Sequence, residues 1–253
     1  MRRAGCEMRT FYSQFGEDQL LSQIFSGSAG VCVEVGAHNG VDLSNSYYFE
    51  QLGWQCILVE PNPALCSIIR QSRTAILFEC AASERSGDAV LHLAEGADVY
   101  STLEDHGIPI NRIRNGGGRI RDLIVPTRTL DDMLDETGTQ RVDFVSIDVE
   151  GHEMSVLRGF SLERWRPRVV LVEDGSDLAD VAVRSFMHEH GYMRFYRTDC
   201  NDWYAAPSEG DLRCLNRLLM SGRYGIKGLA KVWLPTKVCR ILVAVKRRLI
   251  SWA

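Results

Sequence analysis

The chain has 253 residues, of which 45% are hydrophobic, 25% charged and 9% aromatic. This composition is typical of a globular protein and excludes a disordered, collagen-like or disulfide-scaffold chain. The net charge of −4 is unevenly distributed, because ten of the 29 basic residues but one of the 33 acidic residues lie from Asp211 onward. We therefore expect an acidic domain over residues 1–210, with a helical lead-in over 1–28, and a basic tail over 211–253.

No run of uncharged apolar residues reaches the length of about 18 that a membrane-spanning helix needs. The N terminus has two arginines but no apolar stretch behind them, so we predict no secretory signal. The eight cysteines form no C-x-x-C pair, and several lie in apolar runs. These features predict a cytoplasmic protein with reduced, mostly buried thiols and no zinc site.

Five short apolar runs that end at turn residues or charged residues predict buried strands. The runs are 31–35, 56–60, 75–80, 142–147 and 169–172. Segments with helical spacing come after the first, second, fourth and fifth runs, at 43–52, 64–71, 153–162 and 178–190. This alternation of strands and helices predicts a parallel sheet covered by helices on both faces.

Three further strands are predicted outside this alternation. Residues 89–93 indicate an added strand or the arm of a hairpin. Residues 193–197 and 203–206 indicate two strands joined by a short turn, which we expect to be antiparallel neighbours.

Residues 95–121 are polar, contain glycines and show little periodicity. Loops of this length in a compact domain usually have a function. We therefore expect this segment to cover a substrate site. Its candidate substrate contacts are Tyr100, His106, Arg112 and Arg114.

The first predicted strand ends in a glycine turn with the spacing G-x-x-x-G, from Gly36 to Gly40. Gly36 permits a tight turn and Gly40 permits a helix to begin close to a ligand, at the edge where open α/β sheets bind nucleotide-like molecules. The G-x-G-x-x-G pattern that cradles a pyrophosphate is missing. Glu34 would repel a pyrophosphate and suits a positively charged ligand, such as a sulfonium with an α-ammonium group. The alternative is an ordinary strand-turn-helix.

Glu60 ends the second predicted strand, 24 residues after Gly36. A carboxylate in this place accepts hydrogen bonds from ribose hydroxyls in nucleoside-binding sheets. The alternative is a solvated acid before the Pro-Asn-Pro turn at 61–63. Together with Glu34 and the two glycines, Glu60 favours a nucleoside-like ligand.

Four ionisable residues follow the fourth predicted strand: Asp148, Glu150, His152 and Glu153. They lie where a doubly wound sheet opens towards its ligand. Such a group could take a proton from an alcohol or hold a divalent cation through oxygen ligands. The alternative is that these acids are simply exposed to solvent and that Glu153 is a first-turn acid stabilised by the helix dipole.

Six segments, in matching order and spacing, resemble the FkbM-type methyltransferases, which are S-adenosylmethionine-dependent O-methyltransferases. The resemblance covers residues 13–207. The segments are SQFGEDQLL at 13–21, VEVGAHNGVDLSN at 33–45, GWQCILVEPNP at 53–63, CAASERSG at 80–87, VPTRTLDDML at 125–134 and VDFVSIDVEGHEMSVLRG at 142–159.

The resemblance implies an α/β fold of the Rossmann-like class I methyltransferase type. Its doubly wound, mostly parallel sheet has seven strands in the order 3-2-1-4-5-7-6, with the last strand antiparallel. It also implies S-adenosylmethionine as the cofactor, with Glu60 at the ribose and Asp148 facing the transferred methyl group. Glu34, Gly36 and Gly40 would line the methionine part, and Ala81 and Ala82 would lie along the adenine. The other candidate cofactor contacts are Ala37, Asn45 and Pro61.

Members of this family typically methylate a hydroxyl, often on a sugar of a glycan or natural product. Removing the hydroxyl proton requires a base, or a cation that lowers its pKa. We expect His152 or Asp148 to be the base, with Glu150 as a helper. Asp148 and Glu150 would be the ligands if Mg²⁺ takes part. The alternatives are a non-sugar acceptor (a lipid, a polyketide or a peptide amide) and a catalytically silent nucleoside-binding protein of the same fold.

The tail lies outside the resemblance. From Lys237 onward its basic and apolar residues fall on opposite helical stripes. This pattern suits either an anionic membrane surface, which would place the protein at the inner face of the membrane, or packing on the domain or on a second subunit. Packing on a second subunit would make the protein a homo-oligomer. We expect no nucleic-acid partner, because the acidic body would repel phosphates.

Overall fold

The computed structural model describes residues 10–25, 29–96, 98–105, 108–115, 119–175, 181–206, 208–209 and 212. His106 and, apart from Leu212, the basic tail therefore lie outside the described residues, as do residues 1–9 and 26–28 of the predicted lead-in. None of the described helices has both the length and the apolar composition that crossing a membrane requires.

The strands and helices are numbered in chain order over the described residues. The strands are β1 (Val31–Val35), β2 (Gln55–Val59), β3 (Ile76–Phe78), β4 (Ala81–Ala82), β5 (Gly87–Glu95), β6 (Arg119–Arg128), β7 (Phe144–Ile147), β8 (Val169–Glu173), β9 (Met193–Thr198) and β10 (Asn201–Ala205). The helices are α1 (Glu17–Ile24), α2 (Tyr47–Gln51), α3 (Pro63–Ser72), α4 (Ile108–Asn115), α5 (Leu130–Glu136), α6 (Glu153–Arg158), α7 (Leu162–Trp165) and α8 (Ala182–Glu189), with a 3₁₀ turn at Asp98–Tyr100.

The main sheet has the strand order β3-β2-β1-β7-β8-β10-β9. The pairs among β1, β2, β3, β7 and β8 are parallel, and β10 runs antiparallel to both β8 and β9. Numbered within this sheet alone, the order is 3-2-1-4-5-7-6 with an antiparallel seventh strand. The predicted Rossmann-like class I methyltransferase fold is therefore confirmed.

Both faces of the main sheet are buried. Successive side chains of its apolar strands point to opposite sides, so each strand contributes residues to a core on either face. Val33 of β1 belongs to a core that includes residues of α5, α6, α7 and α8. Its neighbour Cys32 belongs to a second core, with residues of α1 and α2. That second core is aromatic, and the ring of Phe144 lies 5.0 Å from that of Phe49 and 5.8 Å from that of Trp54. The predicted covering of both faces is confirmed.

Local sequence explains where two of the helices begin. Asn62 caps α3 by accepting a hydrogen bond from the backbone N–H of Ala64, and Pro63 occupies the first helical position, where an N–H is not needed. Thr129 caps α5 in the same way through the backbone N–H of Asp132. Helix α3 thus starts directly behind the carboxyl end of β2.

A second sheet, with the order β4-β6-β5, corrects several predictions. The strand predicted at 89–93 is the longer β5, and β5 pairs antiparallel with β6 over its whole length. The strand predicted at 75–80 is the shorter β3 (Ile76–Phe78) of the main sheet, and β4 of the second sheet begins just beyond it, at Ala81. The prediction of a loop over 95–121 is wrong for α4, for the 3₁₀ turn and for the start of β6.

Two predicted helices also differ in extent from the observed ones. The helix predicted at 43–52 begins only at Tyr47, because the preceding residues form a turn held by hydrogen bonds to Glu34. The helix predicted at 153–162 divides into α6 and α7 near Gly159. A Cβ at Gly159 would lie 2.1 Å from the carbonyl oxygen of Ser83, so the chain there packs directly on another backbone. The helix predicted at 178–190 is α8, and residues 178–180 lie outside the described part.

Candidate active site

A cavity of about 910 Å³ opens at the carboxyl ends of the parallel strands of the main sheet. Ligands of open α/β sheets bind at this edge. Two other segments complete the wall: Gln14, Phe15 and Glu17 near the N terminus, and the residues from Val99 to Leu103. The latter belong to what we call the cover segment, residues 98–105, which together with α4 forms part of the connection between β5 and β6.

Gly36 makes the tight turn on which the cavity depends. Its φ of +81° lies in the left-handed region, and a Cβ here would lie 1.8 Å from the carbonyl oxygen of Asp148. The backbone N–H groups of Gly36 and Ala37 both donate to the carbonyl oxygen of Val59. The carboxyl ends of β1, β2 and β7 are therefore in direct contact, and no residue with a side chain fits at Gly36 without moving them.

Glu34 organises the loop between β1 and α2. Its buried carboxylate accepts hydrogen bonds from Ser44 Oγ at 2.7 Å, from Ser46 Oγ at 2.5 Å and from the backbone N–H of Asn45 at 2.6 Å. Glu34 borders the cavity, as the resemblance implies. Its hydrogen bonds to the protein fix the loop that presents Asn45.

Asn45 lines the cavity and carries a buried, unpaired acceptor. Its Nδ2 donates to Ser146 Oγ at 2.9 Å, whereas its buried Oδ1 has no hydrogen-bond partner among the described residues. Buried polar atoms in native proteins are nearly always paired with protein, water or ligand. This oxygen therefore suits a ligand donor such as an ammonium or a hydroxyl group.

Glu60 follows β2 and is buried in the cavity wall. Its Oε2 accepts from the backbone N–H of His38 and its Oε1 from that of Asn62, each at 2.9 Å. These bonds fix the plane of the carboxylate, and each of its oxygens can accept more than one hydrogen bond. Such an oriented carboxylate can bind two adjacent hydroxyls of a ligand.

Small side chains border the cavity next to Glu60. Pro61 lines it, and so do Ala81 and Ala82, which form the short strand β4. The two alanines are buried, 4% and 3% exposed. Because these side chains are small, they leave room beside them for a flat ring of a ligand.

Three carboxylates converge at the ends of β7 and β8. Asp148, Glu150 and Glu173 each offer an oxygen, and these oxygens lie within 4.8 Å of one another. Burial raises the pKa of the Asp148 carboxyl well above its ordinary value, and the nearby Glu173, with which it shares a hydrogen bond, raises it further. These three oxygens form a donor set that could hold a divalent cation.

His152 borders the same part of the cavity. Its Nδ1 lies 2.9 Å from Glu104 Oε1, in the cover segment, and its Nε2 lies 3.2 Å from Ser83 Oγ. Thr102 Oγ1 donates to the carbonyl oxygen of Glu150 at 2.8 Å. The cover segment is thus attached directly to the turn that carries the acidic residues and the histidine.

The cavity therefore brings together most of the residues that the sequence singled out. Of the candidate cofactor and catalytic residues, Glu34, Gly36, Ala37, Asn45, Glu60, Pro61, Ala81, Ala82, Asp148, Glu150 and His152 line it, and Tyr100 lines it from the cover segment.

Other candidates are not placed there. Gly40 is absent from the cavity wall and packs against Ile69 and Arg73, and the next helix, α2, begins only at Tyr47. Arg114 lies in α4 with an exposed side chain that does not line the cavity. Arg112 belongs to the same helix, but its side chain lies outside the described part, as does all of His106.

Several residues in the cavity wall were not predicted from the sequence. Glu173 ends β8, one residue beyond the predicted strand, so the rule that identified Glu60 and Asp148 would have found it. Glu17 accepts from Thr198 Oγ1 at 2.6 Å and from Asn201 Nδ2 at 3.2 Å, which fastens the N-terminal wall to the β9–β10 turn. No local pattern signals that contact.

Residues 34–193 match the methyltransferase FkbM domain. The chain belongs to the FkbM methyltransferase family. A curated relative, the 2-O-methyltransferase NoeI of Sinorhizobium fredii (strain NBRC 101917 / NGR234), is 25% identical over 156 residues, which make up 56% of this chain and 62% of NoeI. This FkbM chain thus spans about three fifths of the length of the curated relative that it matches.

Solved methyltransferase structures show a distant likeness to this family member. Precorrin-6y C5,15-methyltransferase from Geobacter metallireducens GS-15 is 14% identical, with a TM-score of 0.41 over 74% of this chain and 84% of that chain. The O-methyltransferase TomG from Streptomyces achromogenes, in complex with SAM, is 13% identical, with a TM-score of 0.38 over 76% and 79% of the two chains. The fold assignment rests on the strand order of this chain itself.

Proposed function

We propose that this FkbM family member is an S-adenosylmethionine-dependent O-methyltransferase that methylates a hydroxyl of a sugar, in a glycan or in a glycosylated or lipid-linked metabolite. The observation that supports it most is the cavity itself. An oriented carboxylate at Glu60 and an unpaired acceptor at Asn45 lie at the sheet edge where this fold binds its ligand, and potential bases stand opposite them at His152 and Asp148.

The residues of the cavity fit this cofactor. Glu60 would accept hydrogen bonds from both ribose hydroxyls, and Asn45 Oδ1 would accept one from the α-ammonium group. Ala81 and Ala82 would lie against the adenine. The carboxylate-rich wall favours a cationic sulfonium. When bound, S-adenosylmethionine supplies an electrophilic methyl group, and the protein positions the acceptor and removes its proton.

Other residues of the cavity wall suit a polyhydroxylated acceptor. They offer the aromatic ring of Tyr100, the amides of Asn111 and Asn201 and the carboxylate of Glu150. Amides and carboxylates accept hydrogen bonds from hydroxyl groups, and amides also donate to them. The name of the relative NoeI, a 2-O-methyltransferase, supports transfer to oxygen.

Calorimetric titration with S-adenosylhomocysteine tests the cofactor site. The variant Glu60→Gln keeps the side-chain shape but removes its charge. A hydrogen bond to a charged group contributes about 1.5–3 kcal/mol, so we expect roughly 10- to 100-fold weaker binding. The matched control is Glu79→Gln, one strand away and outside the cavity wall, which should bind like the wild type. A folded wild-type protein that does not bind would contradict the proposed function.

The acceptor is tested by transfer of a labelled methyl group to a panel of free sugars, glycosides, lipids, polyketides and peptide amides. Parallel reactions contain Mg²⁺ or a chelator, because Asp148, Glu150 and Glu173 could hold a cation. We expect the labelled methyl group to be attached to a hydroxyl oxygen of a saccharide. Label confined to lipid, polyketide or amide would contradict the sugar assignment, and cofactor binding without any transfer would favour a silent nucleoside-binding protein.

A further inference from the structure

Three side chains that are distant in sequence form a hydrogen-bonded row at the edge of the cavity. Glu104 Oε1 lies 2.9 Å from His152 Nδ1, and Ser83 Oγ lies 3.2 Å from His152 Nε2. The side chain of His152 is 17% exposed and that of Glu104 is 34% exposed. The imidazole is therefore held at both nitrogens, by the cover segment on one side and by the residue after β4 on the other.

The chemistry of these groups fixes the tautomer of the imidazole. A carboxylate can only accept a hydrogen bond, so Nδ1 of His152 must carry a hydrogen to pair with Glu104. In the neutral ring the lone pair is then on Nε2, where the hydroxyl of Ser83 donates to it. Nε2 is thus prepared to accept a hydrogen bond from a hydroxyl group, which a base for an alcohol must do.

We propose that Glu104 is a positioning residue that holds His152 as the Nδ1–H tautomer, with the Nε2 lone pair available to the hydroxyl proton of the acceptor. This inference rests on the proposed function. The acceptor hydroxyl would take the place of the Ser83 hydroxyl at Nε2 and pass its proton to Nε2. Its oxygen would then bond to the methyl carbon of the bound donor, whose bond to the sulfonium sulfur would break to leave S-adenosylhomocysteine. Because Glu104 lies in the cover segment, the base is complete only when that segment is in place.

The neighbouring residue provides an internal comparison. Asp105, also in the cover segment, lies 2.9 Å from His92 Nε2, and Asp122 lies 2.7 Å from His92 Nδ1. His92 is absent from the cavity wall. Two adjacent acids of one segment thus bind two different histidines, and only the histidine paired with Glu104 borders the cavity.

Two-bond ¹H–¹⁵N correlation spectra test the proposal, because they show which nitrogen of a neutral imidazole carries the hydrogen. They are recorded on the full chain, with and without S-adenosylhomocysteine, at a pH where the ring is neutral. We expect the wild type to show His152 as Nδ1–H. Glu104→Ala should lose this preference and give a mixture of tautomers. Glu104→Gln should keep it only in part, because the amide oxygen still accepts from Nδ1–H but the amide NH2 can instead donate to an unprotonated Nδ1.

Control variants separate the pairing from a general loosening of the cover segment. Asp105→Ala should change the signals of His92 and leave the tautomer of His152 unchanged, and Ser83→Ala should also leave that tautomer unchanged. An Nε2–H tautomer in the wild type, or an unchanged His152 in Glu104→Ala, would overturn the proposal. Failure to bind S-adenosylhomocysteine would overturn the proposed function instead, since the tautomer is read in the free protein as well.

Discussion

Glu153 is a carboxylic acid buried beside the site, where its Oε1 accepts hydrogen bonds from the backbone N–H groups of Val149 and Gly151. Burial opposes ionisation and raises the pKa of Glu153 to about 7, although these donors favour the charged form. In the unfolded chain the pKa is about 4.3. The folded state therefore binds the proton more tightly. The resulting stability is fully present below about pH 4 and is lost as the pH rises through about 7.

The variant Glu153→Gln should remove this pH dependence. The amide keeps the acceptor oxygen for both N–H groups but cannot ionise. We expect its free energy of unfolding to exceed that of the wild type by at most about 4 kcal/mol at pH 8, and by about 1 kcal/mol at pH 5. Urea denaturation at the two pH values measures this difference. Glu163→Gln, at a side chain that is 68% exposed, is the control, and an equal difference at both pH values for Glu153→Gln would contradict the prediction.

At the scale of single residues, the sequence was enough to predict a cavity residue where that residue comes directly at the end of a predicted strand. Glu60 and Asp148 were identified in this way, and both line the cavity. Glu17 and Glu104 could not be identified, because their partners lie far away in sequence, at Thr198 and His152. Only the path of the folded chain brings such pairs together.

At the scale of elements, the loop between β1 and α2 depends on a buried arginine. The side chain of Arg73 has no exposed surface, and its Nε donates to Glu50 at 2.8 Å. Its guanidinium also donates to the carbonyl oxygen of Gly40 and to Ser46 Oγ, and lies over the ring of Tyr47. The loop that carries Asn45 is therefore held by hydrogen bonds to two buried side chains, Arg73 and Glu34.

Replacing this arginine should destabilise the fold and weaken cofactor binding together. Arg73→Met leaves Glu50 without its ion pair, and loss of one partner of a buried pair costs about 3–5 kcal/mol. The double variant Arg73→Met/Glu50→Gln should recover part of that loss. Urea denaturation of the wild type, the two single variants and the double variant gives the coupling energy between the two side chains. Strict additivity of the two changes would contradict the role of the pair.

The same scale shows why the main sheet was predictable and the second sheet was not. The parallel strands are continuous apolar runs because both of their faces are buried, and this pattern is visible in the sequence. Strand β6 instead has mostly exposed or half-buried residues, with only Val125 and Thr127 buried, and contains Arg119, Arg121, Asp122 and Pro126. Its partner β5 lies on the other side of the cover segment and α4. Pairing across such an excursion leaves no local signal.

At the scale of the whole molecule, charge is divided along the chain. Residues 1–210 contain 32 of the 33 acidic and 19 of the 29 basic residues. The fold places several of those acids around the cavity, with Glu34, Glu60, Asp148, Glu150 and Glu173 in its wall. The domain thus favours cationic or neutral ligands at its site, whereas the tail that follows it has the opposite charge.

This opposite charge predicts that residues 211–253 attract the protein to anionic membranes. Eight Lys and Arg residues follow Gly222, and each contributes about 1 kcal/mol near an anionic surface at low salt. Flotation with phosphatidylserine vesicles should therefore recover the full chain but not a chain that ends at Gly222. Neutral phosphatidylcholine vesicles and about 1 M salt, which shortens the Debye length to about 3 Å, should each abolish recovery of the full chain. Equal recovery of both chains from anionic vesicles would favour packing of the tail on the domain or on a second subunit.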